Sequence, residues 1–242
     1  MWGLDALVEL LEEYDVCERC QALCLSRSQV VFGCGSASAD IMIVGEGPGA
    51  VEDHEGVPFV GDSGQLLMDL IANAWPDTDA VRDVRLIEDD TRFFEELREY
   101  LDKFIFWTNV VLCRPEENRT PATEEVKNCR DRLHKTIYAV DPLLIIATGK
   151  AAATALVGRS VQITAKQGQL MDVTIKSPVS GEDIRYPMMP ILHPAYLLRR
   201  GDQKLVKRKQ GDTYATIQHL KYAIFLLEEQ YRDQGLKFPN RS

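Results

Sequence analysis

Val44-Gly45-Glu46-Gly47-Pro48-Gly49-Ala50-Val51-Glu52-Asp53-His54-Glu55-Gly56-Val57-Pro58-Phe59-Val60-Gly61 is the stretch from which the rest of the chain is read. It follows a short apolar run, Ile41-Met42-Ile43-Val44, that reads as a buried strand. It precedes Ser63 to Ile71, whose apolar spacing reads as a helix. A loop from a strand end to a helix start lies at the edge where open parallel sheets place their ligand sites. Its glycines let a ligand approach the main chain closely. The G-x-G-x-x-G spacing of a dinucleotide loop fails, because Gly45, Gly47 and Gly49 run on into Ala50, Val51 and Glu52. No Gly-Lys-Ser/Thr closes a phosphate-binding loop either. Spacing alone leaves open a long glycine-rich turn without chemistry.

Outward from this stretch, strands alternate with helices. Leu4 to Tyr14 has helical spacing, and the helix from Ser63 is expected to end near Trp75-Pro76. Residues 77 to 90 read as an acidic surface connection, and Thr91 to Leu101 as a helix with Thr91 as N-cap. Phe104 to Leu112 is the second strand, rich in β-branched and aromatic residues. A helix start follows at Thr120-Pro121. Leu143 to Thr148 is the third strand, apolar throughout, and Gly149-Lys150 opens a helix through Leu156. Residues 166 to 186 read as a hairpin or irregular excursion, Met188 to Leu192 as the fourth strand, and Asp212 to Tyr231 as the last helix. This alternation predicts an α/β protein with a mainly parallel sheet covered on both faces.

The chain has 242 residues, 45% of them hydrophobic. That suits one α/β domain of ordinary size. No apolar run approaches the ~20 residues that span a bilayer. Met1-Trp2-Gly3-Leu4-Asp5 lacks the features of a secretory signal, so a cytosolic protein without membrane contact is expected. In that compartment six cysteines point to metal ligands or buried thiols rather than disulfides. The formal net charge of −9 argues by itself against a nucleic-acid partner, but the charge is uneven. Asp77 to Asp102 carries ten acids and four arginines, whereas Arg199 to Lys209 carries six bases against Asp202. A local basic patch binds phosphates despite an acidic total. Read blandly, it is a solvated surface turn.

Cys17-x-x-Cys20 puts two thiols near one centre, and Cys113 and Cys129 follow across a loop and a helix. Four cysteines hold zinc or an iron–sulfur cluster, and spacing alone leaves two unrelated pairs of buried thiols open. Cys24 and Cys34 read as buried or idle.

Together these pieces carry a resemblance. Gly45-Glu46-Gly47-Pro48-Gly49 with Glu52-Asp53 and Gly56-x-Pro58-Phe59-Val60-Gly61 resembles the first motif of the iron–sulfur (family 4) uracil-DNA glycosylases. Thr108-Asn109-Val110-Val111-x-Cys113-Arg114-Pro115 with Asn118-Arg119-Thr120-Pro121 is similar to their second motif, and His193-Pro194-Ala195-Tyr196-Leu197-Leu198-Arg199 to their third. The departures are longer stretches near 76–102 and 176–186. The resemblance implies a three-layer α/β/α sandwich with a mainly parallel four-stranded central sheet. The expected organisation is one domain over 1–242 with a surface insertion at about 76–102.

It also implies an activity: hydrolysis of the N-glycosidic bond of uracil in single- or double-stranded DNA, leaving an abasic site. A [4Fe–4S] cluster on Cys17, Cys20, Cys113 and Cys129 is implied, and a monomer is expected. Within that frame Phe59 is suited to stack on the base, and the Asn109 amide matches O4 and N3–H of uracil but not cytosine. Glu52 is placed near C5, against the thymine methyl. His193 is the expected donor to the anion that develops on uracil O2. Water is expected to be held by backbone around Gly47, aided by Glu46, so Gly47→Asp is expected to be tolerated better than His193→Ala. Leu197 is the expected wedge into the gap left by the flipped base, and Arg199, Arg200 and the basic run to Lys209 are the expected phosphate contacts. The segment 118–121 lacks the histidine with which a related group traps uracil sites covalently, so turnover is expected. Two other readings compete: a catalytically weak or inactive DNA-binding module of the same fold, and an oxidoreductase, which fails on the missing phosphate-binding pattern.

Overall fold

The structure is a computed structural model that describes residues 3–201, 209–235 and 238. Helices α1 (Leu4–Asp15) and α2 (Gln21–Ser26) precede a two-residue strand β1 (Cys34–Gly35). Strand β2 (Ile41–Gly45) is followed by α3 (Ala50–Glu55), α4 (Asp62–Ala74), α5 (Asp79–Arg85) and α6 (Asp90–Leu101). Strand β3 (Ile105–Asn109) leads through a 3₁₀ turn at Glu116–Asn118 to α7 (Thr123–Val140). Then come β4 (Leu144–Thr148), α8 (Gly149–Val157) and α9 (Ile163–Lys166). The hairpin β5 (Met171–Lys176) and β6 (Asp183–Ile191) precedes α10 (Pro194–Arg200) and α11 (Gly211–Asp233).

The six strands form one sheet in the order β1-β3-β2-β4-β6-β5. The four inner strands pair in parallel, with Gly45 opposite Asn109 and Val44 opposite Ala147. Strands β1 and β5 close the two edges antiparallel. The expected count of four strands is therefore corrected to six, and the sheet is mixed. Both added strands lie at edges. β1 has two residues, too few for a periodic signal, and β5 belongs to the stretch read only as a hairpin or excursion.

Alternation along the inner strands divides the core. Ile41, Ile43, Ile105, Trp107, Leu144 and Ile146 face α4, α6 and α11. Met42, Val44, Phe106, Ile145 and Ala147 face α1, α7 and α8. Every residue of β2, β3 and β4 is buried, which is why these strands read as continuous apolar runs. Burying each such side chain contributes roughly 1.5–3 kcal/mol.

Several element boundaries move. The stretch 77–90 is not a bare connection: α5 buries Val81 and Val84, and Thr78 caps it by accepting from the Val81 N–H. Asp89, not Thr91, caps α6, accepting from the Arg92 N–H at 2.8 Å. The second strand ends at Asn109, and the fourth begins at Asp183, joined to β5 by the Ser177–Glu182 turn. The long glycine-rich loop contains a helix, α3, unseen in the glycine pattern.

Candidate active site

Chain order places β2 in the middle of the sheet, with β3 on one side and β4 on the other. Here the connections diverge, and the carboxyl ends of the strands leave a crevice. A cavity of about 770 Å³ opens there. Its walls come from the ends of all four inner strands: Gly45 to Gly49 after β2, Asn109 at the end of β3, Gly149 and Lys150 after β4, and His193 after β6. Glu46, Gly47, Glu52, Phe59, Asn109, His193 and Arg199, far apart in the chain, all line it.

The glycine-rich loop is held by carboxylates. Glu52 accepts the Gly49 N–H at 3.1 Å on one oxygen and the Gly61 N–H at 2.9 Å on the other. It is 9% exposed and ties the two ends of the loop together. Asp53 turns the other way and accepts the Ser28 N–H with both oxygens, at 3.0 and 2.9 Å. Sequence reading assigned Glu52 only to the base; the signal for its second role was a carboxylate three residues after Gly49, the spacing of a helix capping box.

Phe59 has a left-handed backbone, φ 59°, which costs of order 1–3 kcal/mol for a residue other than glycine. Its ring lies 5.6 Å from that of Trp107. Gly64 passes so close beneath it that a Cβ there would collide with the Phe59 carbonyl. Gly45 is equally constrained, since a Cβ would meet the Asn109 Oδ1 and come within 2.8 Å of Phe59 Cζ. At Gly47 a Cβ would lie 2.9 Å from Val111 Cγ2, so the expected tolerance of Gly47→Asp requires Val111 to move.

Asn109 is 3% exposed. Behind it, the buried Arg132 of α7 donates to the carbonyls of Asn109 at 2.6 Å and Val110 at 2.9 Å. The main chain also locks the first two motifs together, with Val110 N–H donating to Gly45 O and Val111 N–H to Glu46 O. Burial pushes the Glu46 carboxyl up, opposed by a hydrogen bond from Thr120.

His193 is the N-cap of α10, and its Nδ1 accepts the Ala195 N–H at 3.1 Å. An accepting Nδ1 carries no proton, so in the neutral ring the proton is on Nε2. Burial, with the nearby Arg199 charge, pushes its pKa down and keeps the ring neutral. Gly149, φ +90°, sits against the imidazole, leaving 2.9 Å between a Cβ placed there and His193 Cβ.

One assignment is corrected. Leu197 is 0% exposed, packs in the core and is no free wedge; Tyr196 and Leu198, 37% and 39% exposed, are its outward neighbours. Arg200 lies 3.6 Å from Asp212. Lys204, Lys207 and Arg208 of the basic run lie outside the described residues. Lys150, Arg119 and Ser63 also line the cavity and were missed, because Lys150 read only as a helix start.

Cys113 and Cys129 are buried and Cys17 and Cys20 half-buried, all against the same apolar cluster. Among the described residues no three His, Cys, Asp or Glu are drawn together as a single metal ion requires. A cubane carries its ligands on four separate irons, so its sulfurs stand farther apart than those around one ion. Burial pushes the Cys113 thiol up to about 11, while Arg27 donates to its sulfur at 3.0 Å. Asn128 donates to Cys20 at 3.4 Å. Cys24 donates to the Cys17 carbonyl at 3.7 Å, and Cys34 is not idle, since it accepts from Arg98 at 2.7 Å.

Comparison with known proteins shows the family. Residues 32–216 match the family model described as the uracil DNA glycosylase superfamily. A type-4 uracil-DNA glycosylase of Thermotoga maritima is 33% identical over 207 residues, 85% of this chain and 90% of the relative. One from Pyrobaculum aerophilum is 34% identical over 197 residues, 81% and 85%. One from Archaeoglobus fulgidus is 33% identical over 150 residues, 62% and 63%.

Proposed function

The chain belongs to the uracil-DNA glycosylase superfamily, and from that premise we propose that it releases uracil from DNA by hydrolysing the N-glycosidic bond, leaving an abasic site. The observation that carries this reading is the convergence of Phe59, Asn109 and His193 on one cavity.

The target nucleotide leaves the stack and enters the cavity. Phe59 stacks on the flat face of uracil. The Asn109 carboxamide accepts from N3–H and donates to O4; cytosine reverses both groups and is refused. Glu52, its oxygens held by Gly49 and Gly61, is a fixed wall against a C5 methyl. The C1′–N1 bond breaks with its electron pair going to the base, and negative charge builds on O2. The neutral His193 donates Nε2–H to that oxygen. Such a preorganised donor is commonly worth about 3 kcal/mol. Water held near Gly47 and Glu46 adds its oxygen to C1′ and loses its proton to solvent.

Arg199, at the rim of the cavity, and Arg200 meet backbone phosphates. Hydrogen bonds donated to sulfur by the Arg27 guanidinium at Cys113 and by the neutral Asn128 amide at Cys20 support Cys17, Cys20, Cys113 and Cys129 as ligands of a [4Fe–4S] cluster. When bound, the cluster supplies a structural tie rather than a step in hydrolysis. Those four residues join the N-terminal segment to the loop after β3 and to α7. The chain acts as a monomer within one domain.

The test is release of free uracil from single- and double-stranded oligonucleotides, with cytosine and thymine substrates alongside. Uracil release with no band surviving on denaturing gels as a protein–DNA adduct is the expected result. An intact uracil strand after prolonged incubation, or a stable adduct, overturns the reading.

A further inference from the structure

The acidic stretch from Asp77 to Asp102 has no part in the chemistry above, yet it reaches the base pocket through Arg98 and its partner Asp102. Arg98, on α6, has a side chain 13% exposed. Its guanidinium makes three directed contacts. Nη1 donates to the Pro58 carbonyl at 3.1 Å, Nε to Asp102 Oδ1 at 2.7 Å, and Nη2 to Cys34 Sγ at 2.7 Å. Its Cζ also lies 4.6 Å from the centre of the Trp107 ring, and Trp107 Nε1–H donates to the same Asp102 oxygen at 2.7 Å.

Besides Gly45 and Gly64, Pro58 and Trp107 are neighbours that bear on where Phe59 goes. The Pro58 carbonyl belongs to the peptide that enters the strained left-handed residue, and the Trp107 ring packs behind the Phe59 ring. A strained backbone persists only where its surroundings over-determine it. Asp102, Arg98 and Trp107 form one rigid cluster that fixes both the peptide and the ring. Arginine suits this place, because its planar fork directs several N–H groups at once, which an ammonium on a flexible stem does not.

Resting on the glycosylase reading above, we infer that Arg98 is a positioning residue that acts through Phe59, so that α6 sets the stacking platform of the uracil pocket. Arg98 touches no substrate; it holds the ring in the stacking pose.

A double-mutant cycle tests this with single-turnover excision by the full chain on a uracil-containing single strand. Arg98→Lys is expected to slow excision roughly tenfold while leaving affinity for a uracil-free strand unchanged. Phe59→Ala slows it further, and Arg98→Lys adds nothing to Phe59→Ala. Asp102→Asn is an independent break in the same cluster and is also expected to be silent once Phe59 is alanine, so either folded variant decides. Losses that multiply in the double variants, or wild-type rates in both single variants, overturn the positioning role. A wild-type chain that releases no uracil overturns the glycosylase reading instead.

Discussion

At the scale of single residues, the site depends on proton positions. His193 presents Nε2–H because its Nδ1 is already an acceptor at the start of α10. Replacing it with alanine removes the donor, and a loss of ~100-fold in single-turnover excision is expected, with binding of uracil-free DNA unchanged. Loss of less than threefold would remove His193 from the chemistry. Burial lowers the pKa of His134, His193 and His219. In the unfolded chain these rings take up protons below about pH 6.5, earlier than in the fold, so stability declines as pH falls from there through the folded values. Urea midpoints measured from pH 8 to pH 5 are expected to fall, most steeply below that point. A midpoint that rises on acidification would show instead that the carboxyls of Glu46, Asp69 and Asp102, whose pKa values burial raises, outweigh these rings.

At the scale of elements, close approaches matter more than propensity. Gly64, early in α4, leaves no room for a Cβ beneath Phe59. Gly64→Ala is expected to cost about 2 kcal/mol, seen as a drop in Tm of roughly 5 °C, together with slower excision. An alanine variant as stable and active as the parent would contradict the packing described. Helix α5 offers a second check, because Val81 is 1% exposed. Val81→Asp buries a carboxylate in the apolar cluster on that face of the sheet and is expected to cost several kcal/mol in the urea transition. Were 77–90 the surface connection that its acidity suggests, the change would be silent. The acidity misled because the charged residues form the outer face of helices whose inner faces carry few apolar positions.

At the scale of the whole molecule, under the proposed function an acidic chain with net charge −9 meets a polyanion through a local patch. Binding to a uracil-free strand is expected to weaken steeply with salt, and Arg199→Ala is expected to lower the slope of log K against log salt by about 0.7–1. An unchanged slope takes Arg199 off the DNA surface. The four cysteines come from segments distant in the chain, so if they hold the proposed cluster, stripping it with a chelator under oxidising conditions is expected to bleach visible absorbance and lower Tm together. Absorbance lost without any change in Tm would remove the structural role.

The sequence by itself determined the four inner strands and the helices between them, since period-two burial and period-3.6 stripes are local consequences of backbone geometry. It also singled out Phe59, Asn109 and His193 from short glycine-rich, strand-end and His-Pro motifs, and the fold brings these three to one cavity. The edge strands, the burial of Leu197, the Glu52 clamp, the presence of Lys150 at the cavity and the grip of Arg98 on Pro58 were decided only by the tertiary structure. Each depends on which distant segment packs against which, and that is settled by the joint filling of one core, for which no local spacing carries a signal.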